Sequence, residues 1–335
     1  MIRTARFPII LGAAFACAIA AAAPASAATD TLSCGDTVTT SVTLSEDLLD
    51  CPGDGLVVGA DDVTIDLNGH TVSGVWPSSG IRIEGFDGVT VRDGILRVFN
   101  IGVEAIDADR LTLTNLGGNP ELYGLSLQDS DSARISDNTL TALGAGIHAE
   151  SSDELTVVRN TFPGGVGDGF AFIGTNDSRF ADNLIGGANT SGLFVIGDRN
   201  RVTRNQVSGS MSDNIHVIGN DNLVSDNETH ASTSFSIFVQ GDRNTVVRNV
   251  ASNSDAGIWA SGSSLSLRYN VAQENVSNGI VVEGATPFVA RNVAVGNGLL
   301  GITSAEPAAG TRNIAYDNGD PRQCVNVNCI TSPPS

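Results

Sequence analysis

The chain has 335 residues, a net charge of −19 and a pI near 4.3. Its 18 basic residues are all arginine and face 37 acids, which excludes the basic surface that nucleic-acid binding needs. With 38 glycines and only 5% aromatics, helical bundles and aromatic-rich barrels are poor fits, and the slightly positive mean hydropathy argues against disorder.

Residues 1–27 read as a signal peptide. Arg3 and Arg6 are followed by an apolar run, Phe7 to Ala23, and by Ala25-Ser26-Ala27, a small-x-small cleavage site. Cys17 lacks the upstream aliphatic residue of a lipoprotein site. The run is short for a membrane span and no later stretch approaches one. A secreted, extracellular chain without a membrane span is therefore expected. Removing this segment leaves 16 arginines against 37 acids, a mature charge of −21.

Residues 28–53 read as an N-terminal cap. Ser45 to Asp50 predicts one helical turn with Ser45 as its N-cap. Cys34, Cys51, Cys324 and Cys329 meet an oxidising compartment, where three connectivities are open. The expectation is local pairing, Cys34 with Cys51 and Cys324 with Cys329. Zinc is the alternative, although no CxxC pair or neighbouring histidine favours it.

From Gly80 a Gly-apolar-x-apolar-x unit recurs at Gly102, Gly124, Gly146, Gly169, Gly192, Asn214, Ser236, Gly257, Gly279 and Gly301, every 21 to 23 residues. The units alternate with period two and show no helical period. One unit cannot bury its apolar residues, whereas stacked units can. The predicted fold is all-β: a single-stranded right-handed parallel β-helix of about 12 coils over 54–318, with residues 319–335 as C-terminal cap and tail.

Asparagines in register, from Asn138 and Asn160 through Asn292 to Asn313, predict an internal amide ladder at a sharp turn. Asn200, Asn222 and Asn244 mark a second. The residues before the first column alternate in sign, Asp137, Arg159, Asp182, Arg204, Asp226 and Arg248. This predicts ion pairs between neighbouring coils and not a catalytic set.

Asp66-Leu67-Asn68-Gly69-His70-Thr71-Val72-Ser73-Gly74 resembles the entry motif of the β-helix proteins grouped with NosD and with alginate-epimerase-like repeats. The cysteine-bearing ends, Cys34-Gly35 with Asp47 to Pro52 and Asn318 to Pro321 with Cys324 and Cys329, are similar to those of secreted actinobacterial β-helix proteins. The resemblance covers nearly all of the mature chain. It implies the fold and export. It leaves the activity open, because the wider family holds lyases, epimerases, hydrolases and adhesins. His70 is read as a capping residue.

In the resembling enzymes the first sheet lines the substrate cleft. Two zones of that sheet face outward here. The polar zone holds the candidate catalytic residues. His148 is a base, Glu150 and Glu104 are the carboxylates, and Arg82 is a cation for a uronate carboxylate. The apolar zone, Phe194, His216, Phe238 and Trp259, is the candidate ligand-binding surface, because sugars stack on aromatic faces and exposed apolar patches mark binding or oligomer surfaces. Asp168 and Asp213 flank it as turn residues first and as calcium ligands second. Calcium is thus the one cofactor in view, and nothing in the sequence sets the oligomeric state. The leading reading is a secreted protein that binds an extracellular polysaccharide or cell-surface glycan. The alternatives are a polysaccharide lyase, epimerase or hydrolase, and a NosD-like accessory protein.

Overall fold

The structure, a computed structural model, describes residues 32–333. The signal-peptide reading of residues 1–27 lies outside them. Among the described residues every regular element is a strand, and no helix is long and apolar enough to cross a membrane. A 14-stranded parallel sheet takes one strand from each coil in chain order. The remaining strands form the other walls of the same right-handed parallel β-helix.

The coil from Ala145 illustrates the repeat. Strand Ala145–Glu150 lies in the first sheet. Thr156–Val158 and Thr161–Phe162 form the other walls, and Asp168–Ile173 opens the next coil. Ile147 sits beside Phe170 and Ala149 beside Phe172 in register, all fully buried. The core is therefore a set of columns of like residues along the axis. Coils lie ~4.8 Å apart, the spacing of hydrogen-bonded strands.

The corner between the second and third walls explains the asparagines. Arg159, Asp182 and Arg204 take positive φ values of 57°, 59° and 55°, which turns the chain sharply. Such a conformation is costly for a side-chain-bearing residue, and the asparagine that follows supports it. Asn183 Nδ2 donates to Asn205 Oδ1 at 3.0 Å and to the Val157 carbonyl at 3.1 Å. The Asn183 backbone N–H donates to Asn205 Oδ1 at 3.1 Å. This pattern repeats from Asn138 to Asn313. Asn200, Asn222 and Asn244 form the second column. A third, Asn275, Asn297 and Asn318, ends on Gln323, whose Oε1 accepts from Asn318 Nδ2.

The alternating charges pair as the register requires. Arg159, Arg204 and Arg248 make two-pronged contacts of 2.6–2.9 Å with Asp137, Asp182 and Asp226. A second ladder, Arg199 on Asp177 and Arg243 on Asp221, runs along the neighbouring corner.

Both ends differ from the sequence reading. Ser45–Asp50 forms no helical turn. Leu48–Cys51 is a strand paired with Thr71–Gly74, burying Leu48 and leaving Leu49 outside. The supposed cap is itself a coil, opened by Asp36–Val38 beside Leu56–Val58. Pairing with the next coil satisfies backbone groups that one isolated helical turn would leave open. The sheet also runs past 318, since Cys324–Val325 pairs with the strand at Ile302–Ser304. Both local disulfides are present, Cys34–Cys51 and Cys324–Cys329. His70 Nδ1 meets Asp47 Oδ1 at 3.0 Å, and that oxygen accepts the Thr71 N–H, which ties the first coil to the second.

Candidate functional site

The first-sheet strands do not alternate simply. The glycine that opens each unit points inward. At Gly124 an added Cβ would lie 2.3 Å from the Gly146 carbonyl oxygen, and at Gly257 it would lie 2.2 Å from that of Gly279. The residue before the glycine therefore faces outward together with the third residue of the unit. This brings Tyr123 and Phe235 onto the candidate face.

In the apolar zone the rings form a continuous ladder across neighbouring strands, in register Phe194, His216, Phe238 and Trp259. Ring centroids are 5.1 Å apart for Phe194–His216, 4.3 Å for His216–Phe238 and 4.5 Å for Phe238–Trp259. Phe235 packs on both Phe238 and Trp259. The sequence reading took these side chains as exposed. They are half-buried instead, because stacking at coil spacing lets each ring cover the next. Their outer edges and the neighbouring Ile173, Ile196 and Ile218 still reach the surface.

Asp213 is 4% exposed and anchors the centre of this ladder. Its Oδ2 accepts from His216 Nδ1 at 2.8 Å, and its Oδ1 accepts the Phe235 N–H at 2.9 Å. Asp168 accepts the Thr190 hydroxyl and the Ser191 N–H. Both carboxylates thus do the work of turn residues. His216 Nε2 is buried against the rings without a hydrogen-bond partner.

The polar zone divides into two groups. Arg82 donates to Glu84 at 2.9 Å, and this bond raises the guanidinium above its ordinary pKa, with Glu104, Glu84 and Asp54 adding to the effect. Glu104 lies beside Arg82 in register and accepts the Ser79 hydroxyl. His148 Nε2 lies 3.2 Å from Glu150 Oε1, and its ring stacks flat on Tyr123 at 4.4 Å. Burial lifts the Tyr123 phenol above its ordinary pKa, and the Glu150 and Asp168 charges reinforce the shift.

The register places His148 two strands from Glu104 and three from Arg82, ~10 Å and ~14 Å at strand spacing. The four candidates therefore do not converge on one point. The one cation is already held by carboxylates, which weakens it as a clamp for a uronate. Sequence reasoning missed Tyr123 and Phe235, although the recurring small residue just after them, Gly124 and Ser236, was the available signal.

Among the described residues no group of three or more His, Cys, Asp or Glu is placed to hold a metal ion.

A family model described as periplasmic copper-binding protein (NosD) matches residues 61–227, and one described as right handed beta helix region matches residues 168–318. A double mutant of the periplasmic alginate epimerase AlgG aligns over 84% of this chain and 77% of that chain, at 14% identity and a TM-score of 0.54. The mannuronan C-5 epimerase A-module AlgE4 of Azotobacter vinelandii aligns over 92% and 90%, at 13% identity and a TM-score of 0.48. DFA-IIIase of Arthrobacter chlorophenolicus aligns over 87% and 75%, at 17% identity and a TM-score of 0.46. A search of curated proteins returned no match.

Copper favours imidazole, thiolate and thioether ligands. Here the four described cysteines are in disulfides, and Met211 stands exposed. His148 and His216 are three strands apart, and each is tied to its own carboxylate. His70 is held by Asp47 at the first coil. These residues do not fit a copper centre.

Proposed function

The chain is a right-handed parallel β-helix protein, and from that premise we propose that it binds an extracellular glycan along its first sheet. The observation that carries the reading is the aromatic ladder from Phe194 to Trp259 with Phe235 beside it. The fold needs no aromatic residues at these outward positions. Elsewhere on the sheet they are filled by Ser126, Val281 or Thr303. Sugar rings present apolar C–H faces, and a row of half-buried rings at coil spacing offers matching stacking surfaces. Two disulfides suit export to an oxidising compartment, periplasmic or extracellular.

Catalysis is a second reading, motivated by the contact between His148 and Glu150 beside Tyr123. The paired state of Arg82 speaks against uronate chemistry there.

The test is a glycan array followed by titration of the best ligand. The double variant Phe238→Ala/Trp259→Ala should lose binding by at least about tenfold, since truncating two stacking residues removes more than about 1.4 kcal/mol. Unchanged binding would move the site elsewhere. Reducing-sugar and unsaturated-product assays on the wild type and on His148→Ala separate the two readings. Turnover lost with binding retained would make His148 a catalytic residue.

A further inference from the structure

We propose that the second wall carries a binding site for a small organic oxyanion, centred on Arg179 and Arg201. The site lies on another face from the aromatic ladder and does not rest on the glycan reading. Arg179 and Arg201 stand directly opposite each other on neighbouring parallel strands. Two guanidinium groups at strand spacing, ~4.8 Å, repel each other and oppose folding. The wall does not require them, because threonine holds the same position at Thr90, Thr112, Thr156 and Thr245. The compensation that other arginines of these coils receive is missing. Arg199, Arg204 and Arg243 each close a two-pronged contact with an aspartate one coil earlier, which occupies Asp177, Asp182 and Asp221. Among the described residues Arg201 forms no ion pair. Arg179 has only Asp182, at 3.6 Å, an aspartate that Arg204 already holds at 2.7 and 2.8 Å.

The same two arginines line a groove of about 680 Å³, within the range of about 300–1,000 Å³ typical of small-molecule sites. Arg199 stands at its rim, on the corner between the first sheet and the second wall. The groove runs on to Leu223 and Thr245, which supply an apolar flank and a hydroxyl for the body of an organic ligand. A guanidinium fork matches a carboxylate or a phosphate group. One such group between Arg179 and Arg201 turns their mutual repulsion into two charge-assisted contacts. The strongly acidic chain repels a polyanion, so the site suits a single anionic group on a small molecule.

The test is calorimetric titration of the full mature chain with glucuronate, glucose 6-phosphate, inorganic phosphate and glucose, at low and high salt. At least one of the two sugar acids should bind at least about tenfold more tightly than glucose, and high salt should weaken it. Preference for glucuronate assigns a carboxylate, and preference for glucose 6-phosphate assigns a phosphate. Arg201→Thr installs the residue that the column carries in other coils. It should melt no lower than the wild type and lose anion binding by at least about tenfold. Arg201→Lys keeps the charge without the fork and should fall between the two. Phe238→Ala/Trp259→Ala should bind the anion as the wild type does, and loss of binding there overturns the second-wall site. The site is equally overturned if no anion binds at millimolar concentration, or if binding survives Arg201→Thr. Inorganic phosphate binding as tightly as both sugar acids overturns the organic ligand. Tighter binding of a uronate hexamer than of glucuronate overturns the single-anion assignment.

Discussion

Replacing Asn205 by alanine probes the amide ladder at mid-stack. Its Oδ1 accepts two bonds from Asn183, and its Nδ2 donates to the Phe180 carbonyl and to Asn227 Oδ1, both at 3.0 Å. Asn205 is fully buried, so no water replaces these partners. The variant leaves the Asn183 N–H without its acceptor and the Phe180 carbonyl without its amide donor. Each buried group left unsatisfied costs about 1–3 kcal/mol, and the two amide–amide bonds add about 1 kcal/mol each. The sum is about 4–8 kcal/mol, against about 1 kcal/mol for an average substitution. Urea unfolding followed by far-UV circular dichroism should show the midpoint fall with little change in slope. Gln128→Ala, which removes an exposed contact to Asp129, serves as the control and should stay within about 1 kcal/mol. A loss below about 1 kcal/mol for Asn205→Ala would refute the argument that the ladder supports the corner.

Acid should weaken the rod in a defined window. Bonds from Arg159, Arg204 and Arg248 hold Asp137, Asp182 and Asp226 below the ordinary carboxylate range, and Arg322 brings Asp320 to about 2. A folded value below the unfolded one contributes stability that is complete above about pH 5 and is lost as pH falls through the folded values. Thermal melts should therefore be flat between about pH 5 and 7 and fall below about pH 4. A Tm that rises on acidification would contradict the ladders. For copper, isothermal titration with Cu(II) and with Cu(I) against a competing chelator should show no stoichiometric high-affinity site. Binding abolished by His148→Ala or His216→Ala would reverse the conclusion drawn from the donor set.

The coil was legible because stacking makes residue identity periodic. Asn138 to Asn313 mark one corner in every turn, and Gly80 to Gly301 mark the entry to the first sheet. The Asp137–Arg159 type of pair followed from the same register. What escaped was aperiodic or broke simple alternation. Tyr123 and Phe235 face outward because the small residue after each, Gly124 and Ser236, turns inward, which a strict period of two hides. The third amide column is asparagine only from Asn275 onward, too short a run to stand out. The first coil was mistaken for a cap because its strands, Asp36–Val38, Val42–Thr43 and Leu48–Cys51, span two to four residues each. The aromatic ladder was found by position, but its burial was not, since mutual coverage depends on rings from different coils.

Trp259 is one of only two tryptophans in the chain and sits at the end of the ladder, while Trp76 lies apart and exposed. A Trp76→Phe variant therefore makes tryptophan fluorescence report on the face itself. Titrating it with the glycan that binds best should shift or quench the emission with the same Kd that calorimetry gives. An unchanged spectrum at saturating, calorimetrically verified glycan would contradict the claim that the sugar lies on the aromatic ladder of the first sheet.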